Sequence, residues 1–186
     1  VLCGETLSEE QAYETFLVGL SEEVDPVALG GLLVALASRG EALSEIVGAA
    51  RALRDRATPF EHNFPDAIDT CGTGGDGLGT FNISTTVAIV AAACGAPVIK
   101  HGNRAVSSSC GSADLLEAAG VTLDLSPEAA LESLQECGIT FLFAPNYHPA
   151  MRFAGPVRRS LKIRTIFNLL GPLANPGFVK RQVLGV

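Results

Sequence analysis

The sequence has no apolar stretch long enough to cross a bilayer. The longest, Val87–Ile99, has 13 residues and is interrupted by Gly95 and Pro97, short of the roughly 20 that a spanning helix needs. It also lacks the opening of a secretory signal, because the first residues turn acidic at once at Glu5, Glu9 and Glu10. No CxxC pair occurs among Cys3, Cys71, Cys94, Cys110 and Cys137. Neither a disulfide scaffold nor a zinc site is therefore expected, and the cysteines read as buried or half-buried free thiols of a reducing, cytoplasmic compartment. Acidic residues are missing from 145–186, which carries seven basic ones: Arg152, Arg158, Arg159, Lys162, Arg164, Lys180 and Arg181.

What is present is an ordinary globular composition. The 186 residues are 47% apolar and 18% charged, which excludes a disordered chain and suits one domain, or a small one joined to part of a larger one. Charge is uneven: residues 1–66 hold 12 acidic and 4 basic groups, and residues 67–144 hold 8 and 2. The basic last stretch either faces something negative or is a solvated surface that balances the rest. A nucleic-acid partner is not expected, because the net charge is −7 and the pI about 4.9.

Residues 1–57 read as helices. Ser8 and Gln11 form a capping box ahead of a stripe of Tyr13, Phe16, Leu17 and Leu20. Asp25-Pro26 starts a second helix that Gly40 closes, and Leu43, Ile46, Val47, Ala50 and Leu53 mark a third. Thr58–Asp66, with Pro59 and Pro65, reads as a linker, so the domains expected are 1–65 and 66–186, with room for some helices of the second stretch to pack with the first. From Ala67 strands and helices alternate: strands at Ala67–Cys71, Pro97–Lys100, Val121–Leu125 and Ile139–Ala144, and helices at Ser84–Cys94, Ser112–Ala119 and from Ser126-Pro127 to Gly138. A further strand begins at Gln182. The fold class is α/β, a small all-helical domain followed by a mainly parallel sheet with helices on its faces.

Two polar loops fall at the carboxyl edge of that sheet, where ligands of such folds sit. Residues 72–79 contain five glycines, which frees backbone N–H groups to turn around an anion at the head of the next helix. Asn82, Ser84 and Thr85 can cap that helix or hold phosphate oxygens, and a serine hydroxyl can ligate Mg²⁺. The run is neither a Walker loop nor a GxGxxG fingerprint. Asp76 beside a phosphate cradle is repulsive unless a metal or a sugar hydroxyl lies between. The second loop, Lys100 to Asp114, opens with two basic residues and offers four serines. Together the loops point to a ligand with two separate phosphate groups, chelated by magnesium.

Four runs in order resemble anthranilate phosphoribosyltransferase: Gly72-Thr73-Gly74-Gly75-Asp76, Asn82-Ile83-Ser84-Thr85, Lys100-His101-Gly102-Asn103-Arg104 through Gly111-Ser112-Ala113-Asp114, and Arg164 through Pro176. The resemblance implies transfer of the phosphoribosyl group of phosphoribosyl pyrophosphate to the amino group of anthranilate, in tryptophan biosynthesis. It implies a homodimer through the helical domain, and an active site between that domain and the α/β domain. Gly72, Gly75, Asp76, Thr80, Asn82, Ile83, Ser84 and Thr85 would hold phosphoribosyl pyrophosphate. So would Lys100, His101, Gly102, Asn103, Arg104, Ala105, Val106, Ser107, Ser108 and Ser112. Ser84 would bind Mg²⁺, and Gly72, Asn103, His148 and Arg158 would meet anthranilate. Lys100 is expected to stabilise the leaving pyrophosphate; Asp76 and His101 are given no general-base role. The Asp-Glu pair that ligates magnesium in that family is absent, so the chain is expected to be a fragment holding about the first half. The alternatives are a pyrimidine-nucleoside phosphorylase, which shares the architecture, and a non-catalytic nucleic-acid-binding relative.

Overall fold

The computed structural model describes residues 1, 3–73, 81–105 and 110–185. In chain order the elements are α1 (Glu9–Gly19), α2 (Pro26–Arg39), α3 (Leu43–Asp55), β1 (Ile68–Gly72), α4 (Ile83–Ala93), β2 (Val98–Gly102), α5 (Ser112–Ala118), α6 (Pro127–Cys137), β3 (Ile139–Phe143), α7 (Ala144–Tyr147), α8 (Met151–Leu161), α9 (Ile166–Leu173) and β4 (Arg181–Gly185). They form two compact units. One comprises Val1–Ala57 and His148–Ala174, the other Thr58–Tyr147 and Asn175–Val186. Residues 58–66, expected as a linker, thus fall with the α/β unit, and α8 and α9 fall with the helical one.

Helix ends in the first unit are set by local side-chain chemistry. The Ser8 hydroxyl accepts from the Gln11 N–H at 3.2 Å while the Gln11 side chain accepts from the Ser8 N–H at 2.9 Å, closing the capping box at α1. Asp25 takes two first-turn N–H groups ahead of Pro26 in α2. Helices α1 and α3 approach closely at Gly48, where any Cβ would meet the Glu9 carbonyl, the Ala12 methyl and the Tyr13 N–H. The core is apolar: Phe16, Leu33, Leu36, Ala154, Ile166 and Leu170 are fully buried, and the Phe16 and Phe167 rings meet edge to face at 5.8 Å. Its buried charge is Glu45, gripped by the Arg39 guanidinium at 2.6 and 2.7 Å and by the N–H groups of Leu7 and Ala42 at 2.9 and 2.8 Å. Burial pushes this carboxyl up, but those hydrogen bonds and the charge of Arg39 outweigh it, so it titrates below the usual range.

The second unit carries a four-stranded, wholly parallel sheet in the order β3-β2-β1-β4. Phe60, Ile99, Leu134, Leu142 and Tyr147 form one apolar cluster, and Ala113, Leu123 and Phe141 another. Helix α6 begins at a Ser126 cap and ends at Gly138, whose φ of 72° is a conformation that suits glycine. The strand expected at Val121–Leu125 does not form. Leu123 is buried against Ala113 and Phe141, but the stretch has no ladder partner, and the strand beside β2 is Ile139–Phe143. The thiols also differ from expectation: all five are free, yet Cys3, Cys94, Cys110 and Cys137 are exposed and only Cys71 is half-buried. Small, weakly polar side chains at helix ends and in loops need no burial. No helix among the described residues is long and apolar enough to cross a membrane.

Candidate functional site

Strands β1 and β2 lie side by side and parallel, so the loops that leave Gly72 and Gly102 open at one edge of the sheet, the edge at which α/β folds bind ligands. Gly75, Asp76 and Thr80 of the first loop, and Val106, Ser107 and Ser108 of the second, lie outside the described residues. The remaining α/β-unit residues define the rim.

Lys100 is central to it. Its side chain is buried, 2% exposed, yet among the described residues no carboxylate lies at ion-pair distance. The ammonium donates instead to the Thr70 carbonyl at 2.5 Å and the Ser84 hydroxyl at 3.3 Å. Burial pushes the Lys100 amine down, and the charge of Asp69 opposes that shift. A desolvated cation in direct contact with neutral oxygens alone among the described residues can take up an arriving anion. Ser84 sits in the first turn of α4, and its backbone carbonyl accepts from the Thr70 hydroxyl at 2.7 Å, tying the helix head to β1. Asn82 occupies the N-cap position without capping; its side-chain oxygen accepts from the Thr85 hydroxyl at 2.8 Å. The first-turn N–H groups of α4 are thus not closed by that cap, the state in which a helix start attracts an anion. Ile83 is half exposed beside them.

The second loop is clasped at its base by one carboxylate. Asp114 accepts from the N–H groups of Ala105 and Gly111, both at 2.8 Å, and the Asn103 carbonyl accepts from the Ser112 hydroxyl and the Ala113 N–H, both at 3.3 Å. Packing there admits only glycine. A Cβ on Gly102 would meet Ser112 and the Phe141 ring, and one on Gly111 would meet the backbone of Asn103, Arg104 and Ala105. Arg104 points its guanidinium at Glu117, with bonds of 2.6 and 2.8 Å. His101 is buried, and its N–H donates to Asp69. The Cys71 thiol is pushed up to about 12, first by burial and then by the Asp69 charge, so it stays neutral and is no nucleophile at physiological pH.

His148 and Arg158 belong to the helical unit. The His148 ring is buried with Nε2 2.9 Å from the Ala174 carbonyl, an oxygen that can only accept, so this nitrogen carries the hydrogen. Burial lowers His148 to about 4, and it is neutral at pH 7. Arg158 is half-buried, its guanidinium 5.1 Å above the Phe167 ring, and burial lowers its pKa.

Ser84 is the sort of oxygen donor that Mg²⁺ accepts. Its hydroxyl lies 3.3 Å from the Lys100 ammonium, and among the described residues no group of three or more His, Cys, Asp or Glu stands ready to share an ion with it. Sequence reasoning missed Asp69, Thr70 and Asn175, all buried on or beside the rim. The signal available for Asp69 was a carboxylate inside an apolar strand run, which has to be partnered if the strand is central.

The glycosyl transferase family's helical bundle domain matches residues 1–57 and its a/b domain matches residues 64–186. Curated anthranilate phosphoribosyltransferases from Desulfatibacillum aliphaticivorans and Tolumonas auensis are 52% and 56% identical to the chain over 186 and 183 residues. These matches cover 100% and 98% of this chain but 55% and 54% of the relatives. The crystal structure of anthranilate phosphoribosyltransferase from Thermus thermophilus is 54% identical with a TM-score of 0.91, covering 100% of this chain and 56% of that one. The Saccharomyces cerevisiae enzyme in complex with PRPP and Mg is 31% identical with a TM-score of 0.86, covering 97% and 54%. The chain spans about half the length of these relatives.

Proposed function

This chain belongs to the glycosyl transferase family, and from that premise we propose that the whole protein transfers the phosphoribosyl group of phosphoribosyl pyrophosphate to the amino group of anthranilate, releasing pyrophosphate. The observation that carries the reading is Lys100: a buried ammonium at the head of α4, with no carboxylate at ion-pair distance among the described residues. Its support is the likeness to relatives named for this reaction.

The chemistry requires little proton transfer. An aromatic amine is neutral at pH 7 and carries a usable lone pair, so the costly step is departure of pyrophosphate from the anomeric carbon. Lys100 and the N–H groups that open α4 stabilise the charge that develops on the departing oxygens. The ribose becomes oxocarbenium-like, and the held amine attacks from close range. Gly72, Gly75, Asp76, Thr80, Asn82–Thr85, Lys100–Ser108 and Ser112 form the phosphoribosyl pyrophosphate set. Within it Arg104 is tied to α5 through Glu117 and Asp114. Arg158 meets the anthranilate carboxylate, with Gly72, Asn103 and His148 as the other anthranilate contacts, His148 as a neutral ring. Ser84 would hold Mg²⁺, which would supply counter-charge to the pyrophosphate; the yeast relative is in complex with PRPP and Mg.

The test is pyrophosphate release by the whole protein. Release that needs both phosphoribosyl pyrophosphate and anthranilate supports the reading; phosphorolysis of a pyrimidine nucleoside instead would replace it. We also propose a cytoplasmic homodimer joined through the helical unit, where Val27 and Val34 are exposed beside an apolar groove between α2 and α8. Sedimentation equilibrium under reducing conditions checks it, and a monomer at micromolar concentration would remove it.

A further inference from the structure

Helix α4 is free of charge along its whole length. Its run from Ile83 to Ala93 holds a serine and two threonines, and every other residue is alanine, valine or isoleucine. A helix apolar all round belongs inside a protein. Only one side of α4 is covered: Thr85 and Ala88 are buried where the helix packs on β1 and β2. On the opposite side Ile83, Val87 and Val90 recur at one-face helical spacing and all three are exposed, Val90 at 56%. Ile89 on the flank and Phe81 just ahead of the helix are exposed as well.

Strand β4 extends that bare surface. In the order β3-β2-β1-β4 it is an edge strand among the described residues, and every one of its residues is exposed. Val183 lies opposite Thr70, and cross-strand partners share a face of the sheet. The Thr70 hydroxyl donates to the Ser84 carbonyl in the first turn of α4, so Val183 is on the α4 side. Leu184 is exposed on the other side. Parallel strands are normally covered on both faces, and an edge offers its backbone groups to any strand that comes alongside. Scattered apolar side chains need no explanation, but a set that runs from the outer face of one helix to a sheet edge marks an interface.

We propose that this interface is internal to the whole protein: the part of it outside these 186 residues docks on the outer face of α4 and along the free edge of β4. The length of the relatives supports that occupant, since the match takes 100% of this chain but only 55% of the relative from Desulfatibacillum aliphaticivorans. Both elements also lie in the stretch matched by the family's a/b domain. Ser84 and the first-turn N–H groups of the candidate site sit on this same helix, so the docking fixes the head of α4 as well as its flank. The proposal concerns a surface, and it stands whatever the substrate is.

The experiment uses the whole protein and needs no substrate. A photo-crosslinking residue in place of Val90 becomes joined, on irradiation, to a peptide from outside residues 1–186 of the same chain. The product keeps the mass of one chain on a denaturing gel, and mass spectrometry maps the joined peptide. Val90→Asp lowers the unfolding midpoint by about 6–10 °C, as burial of an unpaired charge does, whereas at a solvated position it would move it by less than about 2 °C. Should Val90→Asp fail to fold, Thr86→Cys decides, because Thr86 is exposed on the same outer face. Its thiol reacts with a maleimide at least about tenfold more slowly in the folded whole protein than in urea. A crosslinked product of doubled mass, or thiol protection that is lost on dilution, makes a second copy the occupant and overturns the proposal. Joining confined to residues 1–186, a midpoint shift below about 2 °C, or a Thr86→Cys thiol as reactive as in urea overturns it too.

Discussion

The two units bury charge in opposite ways. In the helical unit Glu45 is enclosed with its counter-charge and with two backbone donors, so all that it needs is supplied from within. In the α/β unit Lys100 is equally enclosed but is satisfied by a carbonyl and a hydroxyl, with no carboxylate at ion-pair distance among the described residues. A buried charge with its partner is a matter of stability, because removing one member strands the other. A buried charge lacking an opposite one is a cost that the fold bears for something that arrives.

That contrast breaks most visibly at Lys100. Lys100→Met in the whole protein is expected to lower turnover at saturating substrates by about 10²–10³-fold, the range found when an electrostatic donor to a developing charge is removed. Thermal unfolding should register a loss of about 1–3 kcal/mol, since the Thr70 carbonyl and the Ser84 hydroxyl lose their donor and Asp69 a nearby positive charge. Pyrophosphate release and a melting curve read both, and normal turnover would remove Lys100 from the leaving-group role.

The mirror-image substitution is Glu45→Ala. It strands Arg39, which is only partly exposed, and is expected to cost about 3 kcal/mol in denaturant unfolding while leaving the affinity for phosphoribosyl pyrophosphate unchanged.

Acid sharpens the same contrast. His148 is held near 4 in the folded chain against 6.5 in an unfolded one, so below about 6.5 the unfolded state takes up the proton first. Stability is therefore present at neutral pH and lost as pH falls from 6.5 toward 4, by at most about 3 kcal/mol for this group. Glu45 is lowered too, and its contribution is likewise lost on acidification. His148→Gln should flatten the 6.5-to-4 part of the stability profile, measured by urea unfolding at several pH values. A slope that is unchanged in this variant would place the titration elsewhere.

A smaller effect is expected at the α1–α3 crossing. Gly48→Ala pushes a methyl into the Glu9 carbonyl and should cost about 1–3 kcal/mol, with substrate affinity unaltered.

How much of this was legible depended on the range of the interaction. Ser8 with Gln11, Asp25 with Pro26, and Ser126 with Gly138 act within a few residues, and the helices that they bound appear where their spacing implies. Residues 121–125 carry an apolar strand-like composition, but whether a segment joins a sheet is decided by partners far along the chain, and here β3 holds the place beside β2. Nor could periodicity assign α8 and α9 to the helical unit, because their stripes say that a face is buried and not against what. The glycine-rich turn, Ser84 and Lys100 stood out as types, since their chemistry is local. Asp69 and Asn175 did not, because their partners on β1, β2 and β4 are brought together only by the fold.

The four solvent-facing thiols, Cys3, Cys94, Cys110 and Cys137, bear on how this protein should be handled on the bench. In aerated buffer such groups oxidise between molecules, and the covalent dimers that accumulate would imitate physiological pairing in a mass measurement. Serine replacements at these four positions would make ageing samples and fresh ones comparable, so that any remaining association reflects shape and surface chemistry alone.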